Sequence, residues 1–182
     1  MVYSIVLVVI VILYFFSKMI SNEKQRDFFL FSCFILLGLL AGFRYEEQYS
    51  DFQVNYRRMI QVASMDWYEV FHYSTEFVHQ ILRKIIATFF GTPQWYFILS
   101  SLFIVGSFMK NASKYADDIL IYVLLYYCVF AFFPANNITR QCIAVAISLC
   151  SWNYLINKKK MEFTLLMICA ILIHNSAFIF IP

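Results

Sequence analysis

Long apolar runs dominate this chain and limit what it can become. Segments near residues 2–17, 28–43, 95–109, 119–134 and 138–182 are almost free of charge, and the polar hexapeptide NKKKME divides the last of them. Six stretches result, several approaching the roughly 20 residues that span a bilayer. A soluble domain has no interior able to surround six helices that are apolar on every side. With 62% hydrophobic and 14% charged residues, the expected fold is all-α, a polytopic membrane helix bundle. It forms one membrane domain over residues 1–182, with transmembrane helices near 2–20, 28–43, 95–109, 119–134, 138–156 and 162–181.

The first run, Val2 to Phe16, lacks a cationic n-region and an A-x-A-like cleavage site, and Lys18 follows it. It reads as a retained helix rather than a secretory signal. Cys33, Cys128, Cys142, Cys150 and Cys169 all fall inside apolar runs, without a CxxC pair or clustered histidines. They read as small buried hydrophobes, and no disulfide framework, metal site or other cofactor is expected. The net charge of +3 is gathered in short clusters between apolar runs. That is the pattern of membrane loops and speaks against a nucleic-acid partner.

Those clusters predict a topology. Lys18, Lys24 and Arg26, then Lys110 and Lys114, then Lys158, Lys159 and Lys160 occupy three short loops. The excess of cations in cytoplasmic loops places all three inside and the N-terminus outside. The outer side then holds Arg44 and Arg140 at helix rims, together with a long segment over residues 45–94. Within it Phe52, Tyr56, Met59, Ile60 and Ala63 recur at helical spacing, as do Phe77, Val78, Ile81, Leu82, Ile85, Ile86 and Phe89. Both stretches predict amphipathic helices, lying on the outer membrane face or packed on the bundle, and GTPQ (91–94) is the turn back into the bilayer. Pro182 follows the apolar run IFIP with no polar tail, so the chain is expected to be an N-terminal portion truncated at its C-terminus.

Arg140 is the lone charge in FFPANNITRQCIAVAIS, residues 132–148. At the centre of a spanning helix an arginine costs roughly 2.5 to 3.5 kcal/mol on insertion scales, and far less at a rim where it snorkels. Pro134 ends the preceding helix, and Asn136 or Asn137 can cap the next. Local chemistry therefore accounts for the turn. The topology, however, puts Arg44, Asp51, Glu76, Arg140 and His174 on one membrane face, with His174 about two turns from the outer end of the last helix. Two guanidinium forks can grip a diphosphate, and a carboxylate or imidazole beside them can take a proton from a hydroxyl. Each residue also has a plainer reading: Arg44 as an anchor to lipid headgroups, Asp51 as solvated surface, His174 as a structural hydrogen-bonding group.

The succession GFRYEEQYSDFQVNY, TEF, NNITRQCIAVAI, NKKK and AILIHNSAFIFIP resembles the EpsG family of polysaccharide polymerases, relatives of the Wzy-type O-antigen polymerases. The matching positions are Arg44 with Tyr45, Asp51 with Tyr56, Glu76 with Phe77, Asn137 with Arg140 and Gln141, and His174 with Ser176. EEQYS stands where the family has glycine and threonine, and no proline follows Glu76. The resemblance implies polymerisation of lipid-linked oligosaccharide repeat units for exopolysaccharide, capsule or O-antigen, at a bacterial cytoplasmic (inner) membrane. It implies a glycosyltransferase using a polyprenyl-diphosphate-linked donor without a cofactor. Arg44 and Arg140 would bind the diphosphate, Asp51, His174 and Glu76 are the candidate catalytic residues, and Asn137, Gln141 and Tyr45 would contact substrate. Membrane lipids and other polysaccharide-export proteins are the expected partners. The same residues suit a non-enzymatic protein that binds or helps transport lipid-linked glycan, or an inactive fragment.

Overall fold

The computed structural model describes residues 2–20, 22–44, 50–73, 77–130, 132 and 138–182. Among them the regular structure is entirely helical. In chain order the elements are α1 (Val2–Ser17), α2 (Asn22–Gly42), α3 (Ser50–Ser64), α4 (Trp67–His72), α5 (Phe77–Phe90), α6 (Gln94–Tyr115) and α7 (Ile119–Leu125). A π-helical turn, Tyr126–Phe130, continues α7, and then come α8 (Thr139–Ile156), α9 (Lys160–Ile173) and a 3₁₀ turn, Asn175–Phe180.

Side chains fix several of these ends. Asp66 and Glu69 form a capping box at the start of α4, and the Asp118 carboxylate accepts from Leu120 N and Ile121 N at the start of α7. The Arg26 guanidinium, from the first turns of α2, donates to the carbonyls of Ala112 and Ala116 at 2.7 and 2.6 Å and so closes the far end of α6. At the opposite end of the pair, Gln94 Nε2 donates to the Gly42 carbonyl.

α2 and α6 are thus antiparallel along their whole length. A methyl group on Gly42 would lie 3.0 Å from the Ile98 Cα, so a side chain there would push against backbone. α8 packs between α6 and α9, and Ile104, Cys142, Ala146 and Ala170 are buried where they meet. A second core, from Phe52 and Met59 of α3, Ile86 of α5 and Tyr96 and Phe97 of α6, holds the 45–94 segment down. Within it the Phe52 and Phe97 rings stack at 4.2 Å.

One described helix, Lys24–Gly42, is long and apolar enough to cross a membrane alone, and α5 with α6 qualifies only as a pair bent by 120°. Helix length therefore does not establish six spans. The 16 residues of α1 reach about 24 Å and the 14 of α9 about 21 Å, short of the roughly 30 Å hydrocarbon core. α7 gives way to the π turn after seven residues, inside the stretch expected to be one helix to residue 134. The expected helix over 162–181 also divides, at His174. Outward-facing apolar surface is nevertheless extensive, with Ile5, Val8, Ile12 and Phe16 of α1 53, 54, 58 and 56% exposed.

α5 forms over the residues whose spacing predicts a helix, and its apolar residues divide between the interior and the outside. His79, Gln80, Arg83 and Ile86 form the buried face, while Ile85 and Phe89 are exposed. The sharp turn after α5 runs through Gly91 at φ +72°, a left-handed value that glycine adopts without steric cost. The cysteines divide too: Cys33 and Cys142 are buried as expected, but Cys128 and Cys169 are exposed, because the apolar runs carrying them present one side outward.

Candidate functional site

Two buried arginines, Arg44 and Arg83, lie at one end of the bundle, and a group of exposed lysines, with Arg26 beside it, lies at the other. At the end where α2 and α8 meet, Arg44 lies two residues beyond Gly42 and is buried. Its Nη2 donates to Thr139 Oγ1 at 2.8 Å, and its Nη1 to the Ala41 carbonyl at 3.2 Å and more weakly to Ser101 Oγ at 3.5 Å. Its guanidinium carbon sits 4.7 Å from the centroid of the Phe97 ring. Hydrogen bonds and an aromatic face offset the desolvation of this charge, an arrangement that the planar guanidinium suits better than an ammonium group does. Thr139 opens α8, so Arg44 is tied directly to the turn that carries Arg140.

Arg140 and Gln141, from that first turn, line a cavity of about 120 Å³ together with Ile138 and His174. The N-cap is Ile138 and provides no side-chain cap, which corrects the expectation that Asn136 or Asn137 would fill that position. The first turn of α8, and with it the positive end of the helix dipole, therefore borders the cavity. His174 is not within a helix as expected. It closes α9 and opens the 3₁₀ turn with extended backbone, φ −155° and ψ 120°. Asn175 and Ser176 follow it, residue types whose side chains compete for backbone groups and favour such breaks. The break places the imidazole opposite Arg140 rather than along the wall of a helix.

Behind this cavity lies a polar layer absent from the sequence-based candidates. His79 and Arg83 of α5 are completely buried. His79 Nε2 and the Tyr96 hydroxyl are 2.9 Å apart. Arg83 donates to Gln80 Oε1 at 3.1 Å and to Asn55 Oδ1, and lies over the Tyr96 ring. His79 is within electrostatic reach of Arg83, Arg140, Arg58 and His174, and burial first, then those positive neighbours, hold its imidazole well below the usual histidine range. The available signal was positional: His79, Gln80 and Arg83 occupy one side of α5, between the apolar residues counted as its packing face.

Directly below the polar cavity is an apolar one of about 330 Å³, lined by Leu82 and Ile86 of α5, Leu99 and Phe103 of α6, Ile143 and Ile147 of α8 and Ile173 of α9, with Ser100 the single polar contributor. Ile143 is one helical turn beyond Arg140, and Ile173 adjoins His174, so the linings of the two cavities follow one another along α8 and at the end of α9. The site is therefore amphipathic, with a cationic head pocket set over an apolar trough.

Arg140, Gln141 and His174 are thus brought together, and Arg44 stands behind α8 rather than in the cavity lining. Asp51 belongs to the first turn of α3, but its side chain lies outside the described residues, as do Tyr45, Glu76 and Asn137 altogether. No curated protein and no solved structure matches the chain. Residues 27–182 match the family model described as EpsG family. Those residues take in the arginines, the His174 cavity and the apolar trough, and the chain belongs to the EpsG family, membrane proteins associated with polysaccharide polymerase-like function.

Proposed function

We propose that the protein polymerises oligosaccharide repeat units carried on polyprenyl diphosphate at the outer face of a bacterial cytoplasmic membrane, for exopolysaccharide, capsule or O-antigen. The observation that carries this reading is the succession of head pocket and apolar trough along α8, from Arg140 to Ile143 and Ile147, and at Ile173 and His174. A polyprenyl diphosphate has the matching division, a doubly charged head on a long apolar chain. Arg140 and the start of α8 face the head, and Leu82, Ile86, Phe103, Ile143 and Ile147 accommodate the first isoprene units.

In the reaction an acceptor hydroxyl oxygen bonds to the anomeric carbon of the donor sugar as the bond from that carbon to the diphosphate oxygen breaks. Negative charge grows on the departing diphosphate. Arg140 and the α8 dipole meet that charge more strongly in the transition state than in the ester, which is the condition for acceleration rather than mere binding. Arg44 contributes a second positive charge from behind the turn and holds Thr139, hence Arg140, in place. The hydroxyl proton passes to a base, and His174 is our leading candidate because it lines the pocket, with Asp51 and Glu76 as the carboxylate alternatives. Gln141, Asn137 and Tyr45 serve as sugar or phosphate contacts.

The test is complementation of a strain lacking the native gene. Arg140→Lys should insert normally yet make no long-chain polymer, and His174→Ala and Asp51→Asn should block turnover while still binding lipid-linked donor. If all three variants produce long-chain polysaccharide, the enzymatic reading fails. A protein that only binds or helps export the glycan would depend on Arg140 but be indifferent to His174 and Asp51.

A further inference from the structure

At the end of the bundle opposite His174, the last turns of α6 and α8, the connection into α9 and Leu166 of α9 surround a cavity of about 600 Å³. Lys110 and Lys114 line it from α6, Asn153 and Asn157 from α8, and Lys159 from the connection into α9. Among the described residues no carboxylate lines it, although Glu162 stands in the first turn of α9. Asn153 organises one wall: its Oδ1 accepts from Lys114 Nζ at 3.2 Å and from the Tyr115 hydroxyl at 2.8 Å. The ammonium groups of Lys110 and Lys159 donate to no side chain or carbonyl among the described residues.

A merely solvated basic loop would spread its charges. Here the backbone is bent to gather them. Lys158 sits at φ 60°, in the left-handed position where helix ends ordinarily place glycine. The Lys158 and Lys159 amides donate to the Leu155 and Tyr154 carbonyls, both at 2.9 Å, and the reversal brings Lys159 back over the end of α8. Helix C-termini ordinarily repel anions, but here that field is reduced. Arg26 covers the terminal α6 carbonyls Ala112 and Ala116, and the two bonds just named occupy those of α8. α9 begins at the cavity with no side-chain cap. Three ammonium groups and the start of α9 thus converge on one volume.

We propose that this cavity is a second anion site, taking a phosphate group, and that the phosphate is the headgroup of an anionic phospholipid. Lysines suit a mobile phosphate as point charges, where bidentate arginines would demand one orientation. Basic pockets between membrane helices recognise phospholipid headgroups in this way. Leu166 of α9 lines the cavity, and elsewhere on the same helix Met161, Leu165 and Ile168 are 75, 58 and 48% exposed and offer acyl chains a surface. Inorganic pyrophosphate has the same charge chemistry without the chains.

Cys150 also lines the cavity and is partly buried, whereas Cys128 and Cys169 are exposed elsewhere. Maleimide labelling of the purified protein in a non-ionic detergent therefore reports occupancy with internal controls. At about four times its Kd, phosphatidylglycerol should slow Cys150 labelling about fivefold and leave Cys128 and Cys169 unchanged, and phosphatidylcholine should do nothing. The variant Lys110→Gln, Lys114→Gln, Lys159→Gln should bind roughly 100-fold more weakly, about a factor of five per lysine. The control Lys18→Gln, Lys24→Gln, Lys158→Gln removes equal charge outside the lining and should retain protection. Protection by pyrophosphate alone would keep the phosphate site and eliminate the lipid as its source. Equal protection by phosphatidylcholine, no protection by either anion, or equal loss in both triple variants would overturn the proposal.

Discussion

The two ends of the bundle handle positive charge in opposite ways. At one, Arg44 and Arg83 are buried and held by neutral oxygens and aromatic rings. At the other, Lys110, Lys114 and Lys159 are exposed around an open cavity. A guanidinium disperses its charge over a plane and can be desolvated when its N–H groups and faces are occupied, so it can be fixed in position. An ammonium on a four-carbon stem is strongly hydrated and mobile. Fixed charge suits a group that must meet a transition state, and mobile charge suits a headgroup that need only be retained.

The strongest way to break this contrast is to exchange one charge type for the other. Arg140→Lys keeps the charge but removes the fork, and polymer formation measured by gel ladder should fall by at least about 100-fold. Full activity would mean the arginine end needs charge alone. Next in size is Arg83→Ala, which takes donors from Asn55 and Gln80 inside a buried layer and leaves space beside Tyr96. Thermal unfolding in detergent should show a loss of about 3 kcal/mol. Arg83→Met, which fills the volume without charge, should lose distinctly less, since part of the cost of a buried ion is its own desolvation. The smallest effect belongs to the lysine end. Lys158→Gly relieves a left-handed backbone and should raise stability by roughly 0.5 to 1 kcal/mol, with polymer length unchanged. A destabilised protein would show that the Lys158 side chain holds that turn together.

How much of this was legible in the sequence depended on which rule each residue obeyed. Arg140, Gln141 and His174 share a cavity that loop charges and helix counting could anticipate, because alternating helices must return to one face. The polar layer could not be found that way. For α5 the helical repeat was evident, but periodicity alone does not say whether an apolar stripe faces a core or a lipid, and with Ile85 and Phe89 outward the buried side is His79, Gln80 and Arg83. The break at His174 was hidden for a similar reason. Hydropathy averaged over AILIHNSAFIFIP is high, yet His-Asn-Ser in its middle redirects the backbone locally. The π turn after α7 has no comparable marker in its sequence, YYCVF.

The contact between Gly42 and the Ile98 backbone makes a hydrogen atom part of the site's calibration. Two residues further on, just past the end of that helix, is the guanidinium that sits 2.8 Å from Thr139, and its position follows from how close α2 comes to α6 where the methyl is missing. Gly42→Ala would therefore enlarge the separation of the two helices by a few tenths of an ångström and detune Arg44 and Arg140 together. Such a variant, remote from any sugar, would register in a genetic screen as though the catalytic centre itself had been altered.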